Sequence, residues 1–243
     1  MYRIGIDVGS TRTKYAVIDE DGHILQFFAE KTPVRQREYF SNKVKELQSK
    51  YFENVIESCG YGKENVESLN QVNELLALAR GVFQVYGDDA YVLDIGGQDT
   101  KLILEQQGRL KKFFVNNKCA AGCGQFLTNV LNMLEVSFDE LDIREIEEPN
   151  SKLSSVCAVF AQTEIVGLVA SGCLSEKEII LRVIWQILTQ AKDLLSKVDC
   201  KEILLTGGMS QIPGIDRLAE KVFGIKVLIP EYSIYLSAIG CVL

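Results

Sequence analysis

The feature that most limits what this chain can become is an internal repeat. A strand, a glycine turn, a second strand, a hairpin turn and a third strand are expected at Tyr2–Val8, Gly9, Lys14–Asp19, Asp21-Gly22 and Ile24–Glu30. The same order returns at Ala90–Ile95, Gly96-Gly97, Thr100–Glu105, Gln107-Gly108 and Leu110–Val115. A duplicated α/β unit is the economical explanation. Further strands are expected at Asn54–Ser58, Glu202–Leu205 and Lys226–Ile229. Helices are expected at Gln36–Ser49, Val72–Tyr86, Gly124–Leu134, Phe138–Ile146, Ala158–Ala170, Ser175–Lys197, Pro213–Phe223 and Ser233–Val242. In Val72–Tyr86 the apolar stripe should run through Val72, Leu75, Leu76, Ala79 and Phe83. Ser175 and Glu178 have the spacing of a capping box.

At 243 residues and 47% hydrophobic, the chain has enough apolar surface for a core without staples. A net charge of −7 argues against nucleic-acid or anionic-membrane partners, since binding phosphate needs clustered cations. The N-terminus lacks the pattern of a signal peptide, and no apolar run approaches the ~18 residues of a membrane helix. A cytoplasmic protein is therefore expected. Its seven cysteines should be reduced there, serving as metal ligands or ordinary buried thiols rather than disulfides.

Three glycine turns suggest phosphate chemistry: GIDVGSTRTK, LDIGGQDTK and LLTGGMSQ. In the first, Gly9 lets the backbone approach phosphate oxygens, Ser10, Thr11 and Thr13 add hydroxyls, and Lys14 adds charge. In the second, Asp94 precedes Gly96, Gly97, Gln98 and Asp99. Two such hairpins facing one another would hold a polyphosphate, with Asp7, Asp94 and Asp99 holding Mg²⁺ through water. Gln98 is the candidate to orient an attacking water, with Asp7 and Asp99 completing the catalytic set. Gly207, Gly208 and Met209 form a third turn suited to a nucleoside. The spacing is neither a P-loop nor a dinucleotide fingerprint.

Two cysteines stand in contexts a nucleotide-binding domain does not need, NNKCAAGCGQF and SSVCAVFAQTE. Cys119 and Cys157 both fall at expected helix starts, where the helix dipole favours thiolate.

The three glycine turns resemble the two phosphate motifs and the adenosine motif of the actin, sugar-kinase and heat-shock chaperone superfamily. The resemblance implies an α/β fold of two duplicated ribonuclease-H-like lobes with ATP in the cleft. It assigns residues 1–88 and the closing helix 232–243 to one lobe and 89–231 to the other. VLDIGGQDTK, NNKCAAGCGQFL and SSVCAVFAQTEI further resemble the ATP-dependent activators of 2-hydroxyacyl-CoA dehydratases, with the ATPase subunits of benzoyl-CoA reductase and the reductases of double-cubane cluster proteins. That resemblance runs nearly end to end.

It implies a homodimer with one bridging [4Fe–4S] cluster, held here by Cys119 and Cys157 of each chain. It also implies ATP/ADP with Mg²⁺, one-electron transfer to an iron–sulfur acceptor enzyme, and ferredoxin or flavodoxin as donor. Two ligands per chain do require a second chain to complete a four-thiolate site.

The chain departs from the family pattern at Cys123, where relatives carry a small residue. Cys123 is read as a thiol beside the cluster, with an alternative ligand as the other reading. It also has Leu78 where relatives often place a histidine. Glu164 is read as lining the nucleotide cleft or a partner surface, or as a solvated carboxylate. Cys59, Cys173, Cys200 and Cys241 are expected to be buried, Trp185 to be core and His23 to be exposed. The competing functions are a small-molecule kinase and a non-catalytic nucleotide switch on the same fold. Iron in the protein separates both from the electron donor.

Overall fold

Each repeat builds a sheet whose central strand is buried on both faces, and this organises the rest. The structure, a computed structural model, describes residues 1–116, 119–145, 148–154 and 157–243. Asn117, Lys118, Ser155 and Val156 of the two cysteine motifs, and Ile146 of an expected helix, lie outside them. The first repeat runs β1 (Tyr2–Val8), β2 (Arg12–Ile18), β3 (Ile24–Lys31), helix α1 (Gln36–Lys50), β4 (Asn54–Cys59), the short β5 (Asn70–Gln71) and α2 (Glu74–Tyr86). The second runs β6 (Ala90–Ile95), β7 (Thr100–Gln106), β8 (Arg109–Asn116), α3 (Gly124–Leu134), α4 (Ala158–Ser171), α5 (Glu176–Leu195), β9 (Glu202–Thr206), α6 (Ile215–Phe223), β10 (Lys226–Leu228) and α7 (Leu236–Cys241).

The sheet orders are β3-β2-β1-β4-β5 and β10-β9-β6-β7-β8. Read from the other edge, the second repeats the first strand for strand, so the duplication expected from sequence is the architecture. β1 carries a continuous buried run, Ile4 to Val8, because it pairs with β2 on one side and β4 on the other. β3 alternates and leaves Leu25 and Phe27 exposed, as an edge strand does.

The chain forms two compact units. One comprises Met1–Ala90, Ile103–Lys112 and Pro230–Leu243, the other Tyr91–Leu102 and Phe113–Ile229. In the first, Phe40, Val44 and Leu47 of α1 press onto Ile4, Ile6 and Tyr15. In the second, α5 is buried along most of its length and joins α3, α6 and β9 in one core.

Several expectations needed correction. The buried face of α2 is Ala77, Leu78, Ala79, Gly81 and Val82, whereas Leu76 and Phe83 are partly exposed. The reason is a backbone-close crossing with α7. A Cβ on Gly81 would lie 1.9 Å from the Leu236 carbonyl oxygen, and one on Gly240 would lie 1.8 Å from that of Ala77. Small residues rather than large ones therefore mark the packed face. Asn73 caps α2, its side chain accepting from the Leu75 and Leu76 amides, so the helix starts later than expected. The helix expected from Phe138 is a single 3-10 turn, Phe138–Glu140. Ser175 does cap α5 through the Glu178 amide. The Glu178 carboxylate instead accepts from Asn150 and Arg182.

Candidate functional site: paired phosphate turns and a cysteine-bearing crossover

In the first unit, Asp7 ends β1 with Lys14 opposite it on β2 and Cys59 beside it on β4. Lys14 Nζ lies 3.0 Å from Asp7 Oδ2. Asp7 is 4% exposed, and its buried Oδ1 has no hydrogen-bond partner among the described residues. A buried carboxylate oxygen without a partner is costly, and a hydrated cation would satisfy it. Ser10 and Thr11 are exposed on the turn. Thr13, expected to face phosphate, is fully buried and shares its hydroxyl with Thr32 at 3.0 Å. Thr32 also donates to the Gly9 carbonyl, so both threonines brace the turn from beneath.

The second unit repeats the device. Asp94 ends β6 and accepts 2.9 Å from the Thr206 hydroxyl on β9. Lys101 Nζ lies 2.8 Å from Asp99 Oδ1 and 3.8 Å from Asp94 Oδ2. Gln98 is exposed at the tip, and Gly96 donates to the Asp99 carbonyl. The sequence reading missed Lys101 and Thr206. The repeat itself carried the signal for Lys101, because Asp94 and Lys101 have the same spacing as Asp7 and Lys14.

In the third turn Gly207 has φ 83°, and a Cβ there would meet the Ile95 carbonyl oxygen at 2.4 Å. Gly208 is exposed. Met209, expected on the nucleoside, packs its side chain into the core at 2% exposure. The apolar thioether is drawn there, and the turn's backbone is what it leaves for a ligand.

Both candidate cluster ligands lie in the crossover between β8 and β9. Cys119 is half-buried at the N-terminal end of the 3-10 turn Ala120–Gly122. Cys157 is exposed at the N-cap of α4. Neither side chain caps its own helix. The donor set fits half of a four-thiolate site at two helix N-termini, where backbone amides favour an anion. Cys123 is buried at the N-cap of α3, and burial pushes its thiol pKa up, which disfavours thiolate. Glu164, on α4, accepts from the Ser154 amide at 2.9 and 3.1 Å and from its hydroxyl at 3.2 Å. It therefore anchors Ser154 to α4.

α4 is apolar yet exposes Val159, Phe160, Val166 and Val169, burying only Ala161 and Ile165. Cys59 and Cys241 are buried, and Cys200 half-buried. Cys173, expected to be buried, is exposed in the turn after α4. Trp185 is core, and His23 is exposed with its ring 3.1 Å from Asp19. No helix among the described residues is long and apolar enough to cross a membrane.

Comparison with known proteins follows the same lines. The model of the BadF/BadG/BcrA/BcrD ATPase family matches residues 4–243. The activator of lactoyl-CoA dehydratase from Anaerotignum propionicum is 31% identical, over 100% of this chain and 96% of its own. The activator of the 2-hydroxyisocaproyl-CoA dehydratase from Clostridium difficile, solved with bound ADPNP, superposes with a TM-score of 0.87 at 26% identity, covering 100% of this chain and 93% of that one. A ROK family glucokinase from Streptomyces griseus shares the fold at 14% identity, with a TM-score of 0.59, covering 100% of this chain and 98% of its own. The architecture is thus the actin and sugar-kinase type of ATPase fold.

Proposed function

This chain belongs to the BadF/BadG/BcrA/BcrD ATPase family, and from that premise we propose that it is an ATP-dependent electron donor. It acts as a homodimer that reduces a partner iron–sulfur enzyme of the 2-hydroxyacyl-CoA dehydratase, benzoyl-CoA reductase or double-cubane type. The observation that carries the reading is the pairing, in one unit, of a phosphate-type turn with two cysteines, one opening a 3-10 turn and one at the N-cap of α4.

Asp7 in one unit and Asp94 in the other would each accept from water bound to Mg²⁺, the orphaned Asp7 oxygen being one such acceptor. Lys14 and Lys101 offset the carboxylates beside the turns. Gly9, Ser10 and Thr11 in one turn, and Gly96 and Gly97 in the other, cradle phosphate oxygens, while Gly207 and Gly208 offer backbone to the nucleoside. Gln98 orients the water that attacks the γ-phosphorus, and Asp99 stands beside it; the products are ADP and phosphate.

Cys119 and Cys157 of each chain supply four thiolates to one [4Fe–4S] cluster, which when bound provides one-electron storage at low potential. Amides at the starts of the 3-10 turn and of α4 would donate to the ligand sulfurs and tune that potential. A reduced ferredoxin or flavodoxin would supply the electron, and the acceptor's own cluster would receive it. The exposed apolar side of α4 is available to cover the cluster's surroundings on association.

The test is iron and acid-labile sulfide in anaerobically purified protein. About two of each per chain, in a dimer, is the expected result. Iron absent even after reconstitution would overturn the electron-donor reading.

A further inference from the structure

Each phosphate turn needs its glycine backbone for nucleotide, but the second turn has another use. Helix α3 has no side-chain cap. Its first amides are satisfied elsewhere: Gly124 donates 2.8 Å to the Gly96 carbonyl, and Gln125 donates 2.8 Å to the Gly97 carbonyl. Three residues on, at the start of β7, the fully buried Thr100 hydroxyl donates 2.5 Å to the Gly122 carbonyl. Gly122 in turn donates to the carbonyl of Cys119. Three hydrogen bonds therefore tie residues 96–100 to residues 122–125, and a fourth carries the tie on to Cys119, all within one unit.

A peptide group is planar, so its carbonyl and its amide hydrogen turn together. The Gly96 carbonyl shares a plane with the Gly97 amide, and the Gly97 carbonyl with the Gln98 amide. Any rotation that aims those amides at phosphate also moves the acceptors of α3.

The geometry points to Thr100 as a positioning residue that couples nucleotide at Gly96-Gly97 to the placement of the Cys119 thiol. Thr100 touches neither phosphate nor thiol. Its hydroxyl fixes Gly122 to β7, so the cysteine turn follows the phosphate turn instead of slipping past it. The inference deepens the electron-donor reading and rests on its assignment of the nucleotide turn.

The experiment measures alkylation of Cys119 by iodoacetamide in the full-length, reduced, chelator-treated chain, resolved from Cys157 by peptide mass and from Cys123 by fragment-ion masses within the shared peptide. It is run with and without Mg-ADP and a non-hydrolysable ATP analogue. In the unmodified chain the Cys119 rate is expected to change on nucleotide addition by about fivefold or more, a population shift within the range of ordinary allosteric coupling. In Thr100→Val the nucleotide still binds, but the Cys119 rate no longer responds. Thr100→Ser, which keeps the hydroxyl, restores the response. Nucleotide binding by Thr100→Val shows that the variant is folded. A response that persists in Thr100→Val overturns the inference, as does an unmodified chain that binds nucleotide with no change at Cys119. A chain that binds no nucleotide overturns the underlying reading and the inference with it. A response in a chain that takes up no iron leaves the coupling standing and sinks only the cluster.

Discussion

The two repeats build matching sheets but cross from third to fourth strand differently. The first crosses with one helix, α1, whose Phe40, Val44 and Leu47 are buried against its sheet. The second crosses with α3, α4 and α5 and carries Cys119, Cys123 and Cys157 along the way. The phosphate turns, by contrast, are conservative copies: Asp7 with Lys14, Asp94 with Lys101. In the proposed reading, what is common to both repeats serves the nucleotide, and what only one has serves the redox task. A strand-to-strand connection can lengthen at modest entropic cost, which is why the new chemistry sits there.

The sharpest break of that comparison is the thiols themselves. Cys119→Ser or Cys157→Ser should reduce bound iron to background in anaerobic protein, while Cys59→Ser, in the first repeat, should keep it. Equal loss in all three would remove the crossover's special status. Next comes the core of the shorter crossover. Phe40→Ala should cost about 3–5 kcal/mol in chemical denaturation. Phe160→Ala, at 68% exposure on α4, should stay within about 0.5 kcal/mol yet weaken self-association in sedimentation. A large stability loss from Phe160→Ala would mean that α4 is core.

The equivalence of the turns is tested by Lys14→Ala and Lys101→Ala. Each should lower steady-state ATP hydrolysis by about 100-fold, the scale of losing one preorganised charge or donor. An effect confined to one of them would separate the copies.

The smallest effect concerns Glu105 on β7. Its Oε1 accepts from the Gly108 amide at 2.6 Å, while Oε2 is buried without a partner among the described residues. Burial pushes its pKa up. A folded-state value above the unfolded one makes this contribution full below the ordinary glutamate pKa, and it is lost as pH rises through the raised value. Glu105→Gln keeps the Gly108 contact and should flatten stability against pH above the ordinary carboxylate range, by at most about 1.4 kcal/mol per pH unit. Parallel pH profiles for the two proteins would show that Glu105 carries no such penalty.

Much of this was legible in the residues. The repeat, the three glycine turns and both cysteine contexts are local patterns, each fixed by neighbours within a few positions. Lys101 was legible in principle, since the spacing from Asp7 to Lys14 recurs, but a lysine after a threonine has no signal of its own. Thr206 was not, because its partner Asp94 is reached only when β9 lies beside β6. The α2 stripe misled because hydrophobic periodicity marks large side chains, whereas the crossing with α7 selects small ones. Met209 and Thr13 misled because a motif names a turn without saying which atoms face outward.

By itself the sequence determined the duplicated α/β architecture, the three glycine turns and Cys157 at a helix start, whereas the helix expected after Cys119 has Cys123 at its N-cap and Cys119 precedes only a 3-10 turn. The features it determined are set by short-range periodicity, turn chemistry and spacing. Only the tertiary structure decided that Thr13 braces rather than binds, that Lys101 pairs with Asp94 and Asp99, and that α3 begins on the carbonyls of Gly96 and Gly97. Each of those depends on which polar groups the folded sheets bring together away from water, and burial makes their pairing obligatory.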